Sequence, residues 1–271
     1  MIRKPGQYWD DMWSPIKMLC TKAGAGCANC WAMRFAHRHE ANPTMKREWR
    51  QAWAGGEPYL DEEVLTRPLR WKKSRTIFVE TMGDIFHESV PDKWIAAVWS
   101  AMHRARKHTF LVLTKRSRRM RDFFQRELTL FSDSVLENVQ MGISVWDQES
   151  ADRMIPDLLA TPAAVRWISV EPMLAPIDIT GYLQGWHEEH APDCDASGVA
   201  GCTCSGVQVQ HQARLDWVVA GSETGPGARP AALAWFLALR DQCATAGVPF
   251  WYKKGSDRRH TLDGKVHEGL P

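Results

Sequence analysis

The sequence predicts an α/β fold in which a parallel sheet curls into a partial or full (β/α) barrel. Three observations lead there. Short runs rich in β-branched and aromatic residues recur along the chain, most are followed by a segment of helical periodicity, and their tails end in ionisable residues or glycine. Repeated strand-helix units imply parallel pairing, and seven such strands fit a barrel more readily than a three-layer sandwich.

The elements follow in order. A weak strand, PIKML (15–19), leads into Cys20 and is followed by a helix over 28–40. Clear strands are TIFVE (76–80), TFLVLT (109–114), VQMGISV (139–145), VRWISVE (165–171), DWVVAGS (216–222) and PFWYKK (249–254). Helices are expected over 91–107, 117–130, 147–160 and 229–246, the first and last opening near a proline, as helix starts do. In the first of these, Trp94, Val98 and Met102 form one stripe with Ile95 and Trp99 beside it, which marks a core-facing helix. The chain is read as one domain, 1–271, interrupted after the fifth strand by a long insertion, 178–214.

Composition narrows the class. Hydrophobic residues are 44% and charged residues 24%, with a mean hydropathy of -0.37, the profile of a globular chain. No apolar run approaches the roughly 18–20 residues of a membrane span. The N-terminus MIRKPGQYWDDMW lacks the apolar core of a signal peptide, so a reducing cytoplasm is expected. Seven cysteines there point to metal or redox chemistry before disulfides. Net charge is only +2, yet RWKKSR (70–75), RARKH (104–108) and KRSRRMRDFFQR (115–126) concentrate basic residues. Such runs either track a phosphate backbone or are solvated faces.

Ligands of parallel barrels bind at the carboxyl ends of the strands. The strand tails here read ETMGDIFHE (80–88), TKR (114–116), SVWDQE (144–149), EPM (171–173), GSETGPGARP (221–230) and KKG (253–255). A polar pocket on that rim is therefore expected. Each residue also has a plain structural reading: Asp84 and His87 as helix caps, Lys115 and Arg116 as surface cations, Glu171 as a turn residue.

Cys20, Cys27 and Cys30 would sit on the same rim, in LCTKAGAGCANCW. A structural zinc site needs four ligands, and no fourth is near. A thioredoxin-like C-x-x-C leaves Cys20 unexplained. Three thiolates on a 4Fe-4S cluster leave one iron free for a cofactor, and the small residues of AGAGCAN would let backbone N–H groups approach the sulfides.

The succession C-T-K-x4-C-A-N-C-W-A, FVETMGDIFHESVPDKW, HTFLVLTKRSRRM, VQMGISVWDQESADRMIPDLL, VRWISVEPMLAPIDI, LDWVVAGSETGPGARP and DQCATAGVPFWYKK resembles an uncharacterised family of phage and prophage three-cysteine-motif proteins over nearly the whole chain. In its three cysteines and expected partial barrel it also resembles radical S-adenosylmethionine enzymes. That resemblance implies Cys20, Cys27 and Cys30 as 4Fe-4S ligands. It implies Glu80, Thr81, Met82, Gly83 and Asp84 as holders of the cofactor's amino group, and Ser144 and Glu171 near its ribose or carboxylate. The chain departs from the usual C-x3-C-x2-C: six residues separate Cys20 from Cys27, and Asn29 stands where an aromatic is usual, with Trp31 after it.

In the insertion, His190, Cys194, Cys202 and Cys204, with His187 as a substitute, form a second candidate metal site suited to zinc; the alternative is a loop with incidental thiols. Cys243 reads as a small buried apolar residue. The leading expectation is a cytoplasmic radical S-adenosylmethionine enzyme, phage-encoded. Lys115, Arg116, Glu171 and Glu223 would be its catalytic polar groups, with an external electron donor and a nucleic-acid base or nucleotide as substrate, in DNA modification or repair. The rival is a non-catalytic, zinc-stabilised nucleic-acid-binding protein.

Overall fold

The computed structural model describes residues 3–127, 135–189, 207–210 and 213–271. The chain begins with β1 (Asp11–Trp13) and β2 (Ile16–Lys17), followed by helices α1 (Trp31–Glu40) and α2 (Arg47–Trp53). A short strand β3 (Tyr59–Leu60) and the single-turn helices α3 (Glu62–Leu65) and α4 (Arg67–Arg70) lead into the repeating part. That part runs β4 (Thr76–Val79), α5 (Asp92–Arg104), β5 (Thr109–Thr114), α6 (Ser117–Glu127), β6 (Val139–Val145), α7 (Gln148–Leu159) and β7 (Val165–Val170). Then come α8 (Thr180–Gln184), the antiparallel pair β8 (Trp186–Glu189) and β9 (Val207–Gln210), and finally β10 (Trp217–Gly221), α9 (Leu233–Ala246) and β11 (Phe250–Lys254).

Seven strands form one wholly parallel sheet in the order β1-β4-β5-β6-β7-β10-β11, curled as a half-barrel. Each strand lies beside its predecessor, as in a barrel, whereas a doubly wound sheet reverses direction partway. The sheet keeps two edges, β1 and β11, so of the two closures the sequence allows the partial one is found.

The six clear strands stand within one residue of their expected ends. The first does not. Residues 15–19 were expected to open the sheet, but that place is taken by Asp11–Trp13, while Ile16–Lys17 turns away to pair antiparallel with Tyr59–Leu60. The cause is local. Thr76 N donates to the Asp10 carboxylate at 2.8 Å, anchoring the chain one step earlier, and Pro15 has no N–H to give a ladder. Helix α9 likewise starts at Leu233 instead of 229, because Arg229 is drawn to Glu223 and the Ala231 N–H is used by Ser256 Oγ at 2.8 Å.

The period of two along the strands separates two cores. Ile77, Val79, Phe110, Val112, Met141 and Ile168 pack outward against the helices, including Ile95, Val98, Trp99 and Met102 of α5, while Trp94 of the expected stripe is only partly buried at the edge of that core. Phe78, Leu111, Trp167, Trp217, Val219 and Trp251 point inward, and Tyr8 enters among them with its ring 5.0 Å from Trp217 and 5.7 Å from Trp251. This aromatic plug fills the lower half of the concave interior. Gly142 makes room for it, since a Cβ there would lie 2.4 Å from the Trp167 indole. Cys243 is fully buried in α9 and burial pushes its thiol up to about 12, as suits a packing residue. No helix among the described residues is long and apolar enough to cross a membrane.

Candidate functional site

Above the plug, at the carboxyl ends of the strands, the half-barrel holds a cavity of about 290 Å³. Cys20, Cys27 and Cys30 line it, as do Glu80, Thr81, Met82, Gly83, Asp84, Lys115, Arg116, Ser144, Glu171 and Glu223. The rim residues assigned to the site from the sequence thus meet in one place, while His87 lies outside the cavity lining, its ring between Thr21 Oγ1 and Ser89 Oγ, each at 2.8 Å. His190, Cys194, Cys202 and Cys204 lie outside the described residues, and His187 falls in β8.

The cavity wall is built by alternation. One step above the plug, the inward positions of β6 and β7 are Ser144 and Ser169, partners in register and both buried, with Ser222 following β10. One step higher, Glu171 meets Lys253 of β11, Nζ donating to Oε2 at 2.6 Å. The Lys253 ammonium also stands 5.5 Å from the Trp9 ring and 5.8 Å from Tyr8, so aromatic faces and the carboxylate share its charge. Gly221 leaves space for that pair, because a Cβ there would come within 3.3 Å of Glu171 Oε1.

Glu80 and Asp84, four residues apart after β4, have opposite fates. Glu80 has φ 52°, a left-handed conformation uncommon outside glycine, which turns its side chain inward. Ile16 N donates to its Oε1 at 2.8 Å, while Oε2 is buried with no partner among the described residues. Burial pushes its carboxyl up to about 8, with the Ile16 N–H and Lys17 opposing. Asp84 is saturated. It accepts from Thr114 Oγ1 at 2.7 Å, Phe86 N at 3.0 Å, Lys115 N at 3.0 Å and Arg116 Nη1 at 3.1 Å.

The cysteine loop is clamped at three points. Arg116, read from the sequence as a pocket polar group or else a surface cation, is buried and fully engaged: besides Asp84 it donates to Glu88 at 2.9 Å, to Thr21 Oγ1 at 2.9 Å and, more loosely, to Cys20 Sγ at 3.8 Å. Burial, aided by Asp84, pushes the Cys20 thiol up to about 11 against the pull of Arg116. At the other end Glu223 accepts from Arg229 Nη2 at 2.6 Å and Asn29 Nδ2 at 2.9 Å, while Arg229 reaches Ala25 O at 2.9 Å. The Arg229 hydrogen bonds bring the Glu223 carboxyl down to about 2, so it is an ionised tether. Arg34 adds donations to Asn29 O at 2.7 Å and Pro226 O at 3.0 Å.

Beneath the loop lies the Trp146 indole. A Cβ on Gly24 or Gly26 would fall 2.4 or 2.7 Å from it, so both glycines are required for close seating. Overpacking of this kind costs about 1–3 kcal/mol, a factor of about five or more in a local opening equilibrium. Gly26→Ala is therefore expected to speed labelling of the buried Cys27 thiol by at least about fivefold, read by mass spectrometry. Unchanged labelling would mean that the loop does not depend on this seat.

Asn29, Arg34, Trp146, Arg229 and Lys253 were not among the expected site residues. Asn29 was visible as the residue in place of the usual aromatic, and Trp146, Arg229 and Lys253 lay in quoted strand tails; nothing in the sequence marked Arg34. Among the described residues no group of three or more His, Cys, Asp or Glu side chains gathers around a single point, as one zinc ion would require.

One comparison with known proteins has a result. A family model described as "Protein of unknown function (DUF5131)" matches residues 5–270. No curated protein and no solved structure matches the chain.

Proposed function

The chain belongs to the DUF5131 family, and on that premise we propose that it is a radical S-adenosylmethionine enzyme of phage or prophage origin, holding a 4Fe-4S cluster and acting on a nucleic-acid base. One observation carries this reading: the three-cysteine loop and the acid-bearing end of β4 open into the same cavity at the carboxyl mouth of a parallel half-barrel.

The residues present fit the two groups. Cys20, Cys27 and Cys30 would hold the cluster, each thiolate meeting a different iron, so they need not converge on one point as zinc ligands do. The unpartnered Glu80 Oε2 is suited to the cofactor's ammonium, which would favour the ionised carboxylate that burial alone disfavours. Thr81, Met82 and Gly83 would line the same end, and the Ser144 hydroxyl and Glu171 would meet ribose or carboxylate. When bound and given an electron by an external donor, the cluster and cofactor would supply radical chemistry at this end of the cavity. Asp84 and Arg116 act on this chemistry by position, since their hydrogen bonds are already used within the protein. The Lys115 side chain, without an ion pair among the described residues, would face the substrate, and the aromatic floor of Tyr8, Trp9 and Phe78 suits a planar base.

The test is anaerobic reconstitution followed by iron and sulfide analysis and incubation with dithionite and S-adenosylmethionine. About four irons per chain and release of 5'-deoxyadenosine are expected. A colourless protein that takes up zinc and no iron would overturn the proposal in favour of a metal-stabilised binding module.

A further inference from the structure

A groove of about 1090 Å³ adjoins the cavity, and the two share Lys115 and Arg116 as lining. Eight lysines and arginines line it against three acids, Glu88, Asp122 and Asp157. Half of those cations are engaged in the fold. Arg116 is held by Asp84 and Glu88, Arg119 and Arg126 by Asp92, and Arg121 by Asp122 and Asp157.

The other four are available. Among the described residues the Lys22 and Lys115 side chains have no ion pair, Arg118 is 84% exposed with Asp122 no closer than 3.9 Å, and Arg153 is 55% exposed with Glu149 at 3.6 Å. They come from four separate pieces of chain: the cysteine loop, the end of β5, α6 and α7. A free nucleotide presents its charge at one point, whereas cations spread over four elements match a row of phosphates. At the cavity lip Trp31, beside Cys30, is 51% exposed, an unusual position for an indole and a suitable stacking surface.

We propose that this groove binds the sugar-phosphate backbone of a single-stranded or locally opened polynucleotide and delivers one base past Lys115 into the cavity. An intact duplex is excluded, because a stacked and paired base cannot enter a recess inside the half-barrel. An acidic protein segment would match the charge but leave the aromatic lip and floor without a function. The inference rests on the cavity being the active site, yet its binding step needs neither cluster nor cofactor.

The experiment uses fluorescence anisotropy of a labelled single-stranded oligodeoxynucleotide with the full chain, before and after cluster reconstitution. Four phosphate contacts give a slope of about -2.8 in log K against log salt. The variant Arg118→Ala/Arg153→Ala, both outside the cysteine loop, should flatten that slope to about -1.4, while leaving 5'-deoxyadenosine release in the absence of substrate unchanged. An unchanged slope, equal affinity for a mononucleotide or for intact duplex, or equal competition by polyglutamate would each overturn the proposal. Oligonucleotide binding with no cofactor cleavage would leave the groove assignment standing and remove the radical chemistry; the reverse pair of results would remove only the groove.

Discussion

Replacing Cys27 with alanine should abolish iron uptake, lowering bound iron and visible absorption by at least about tenfold after reconstitution, with 5'-deoxyadenosine release falling to background. A cluster held by three thiolates has no spare protein ligand, and among the described residues the one other cysteine, Cys243, is buried in α9 far from the loop in sequence. The same loss is expected for Cys20→Ala and Cys30→Ala. The substitution removes a single buried sulfur from a loop clamped elsewhere by Arg116, Glu223 and Trp146, so the fold should persist. Unfolding monitored by tryptophan fluorescence separates the two effects. Iron retained in any one variant would exclude that residue as a ligand.

The second large effect is on stability. Arg116→Ala should cost about 3 kcal/mol, the lower end of the range for removing one partner of a buried ion pair. Both side chains of the Arg116–Asp84 pair are only 7% exposed, so Asp84 would be left buried without its cation. The lower end applies because Asp84 keeps three donors, from Thr114, Phe86 and Lys115. Urea unfolding with an unchanged m-value measures this, and adding Asp84→Asn should recover part of the loss. The variant should also load less iron, because Thr21 and Cys20 lose their tie to β5. A cost below about 1 kcal/mol would mean that the pair is solvated and not the clamp described here.

Much of the site was legible because a parallel barrel converts position along the chain into position in space. Once TFLVLT or VRWISVE reads as a buried strand, its next residues lie on the rim, and Lys115, Arg116 and Glu171 follow without further information. The short edge strand was not legible. Asp11–Trp13 has no periodicity to read, and its place depends on Asp10 accepting from Thr76, 66 residues away in sequence.

The division of labour among charged residues was equally hidden. Arg116 and Lys115 are adjacent in one basic run, yet one is buried in a four-partner clamp and the other's side chain has no ion pair among the described residues. That difference comes from Asp84, Glu88 and Thr21, which arrive from other strands and loops. The same holds for Glu223, a pocket residue in the sequence reading, whose hydrogen bonds to Asn29 and Arg229 tie it to the cysteine loop.

By itself, then, the sequence determined the parallel strand-helix repeat, the single rim on which the polar tails collect, and the three thiols gathered there. These depend on hydrophobic period and chain order, which are local and one-dimensional. The tertiary structure alone decided that the barrel stays half open and that an aromatic plug floors the cavity. It also decided which charges are spent on holding the loop and which remain for a ligand. Those outcomes depend on which side chains from distant segments compete for the same hydrogen bonds and the same space, and no spacing along the chain records that competition.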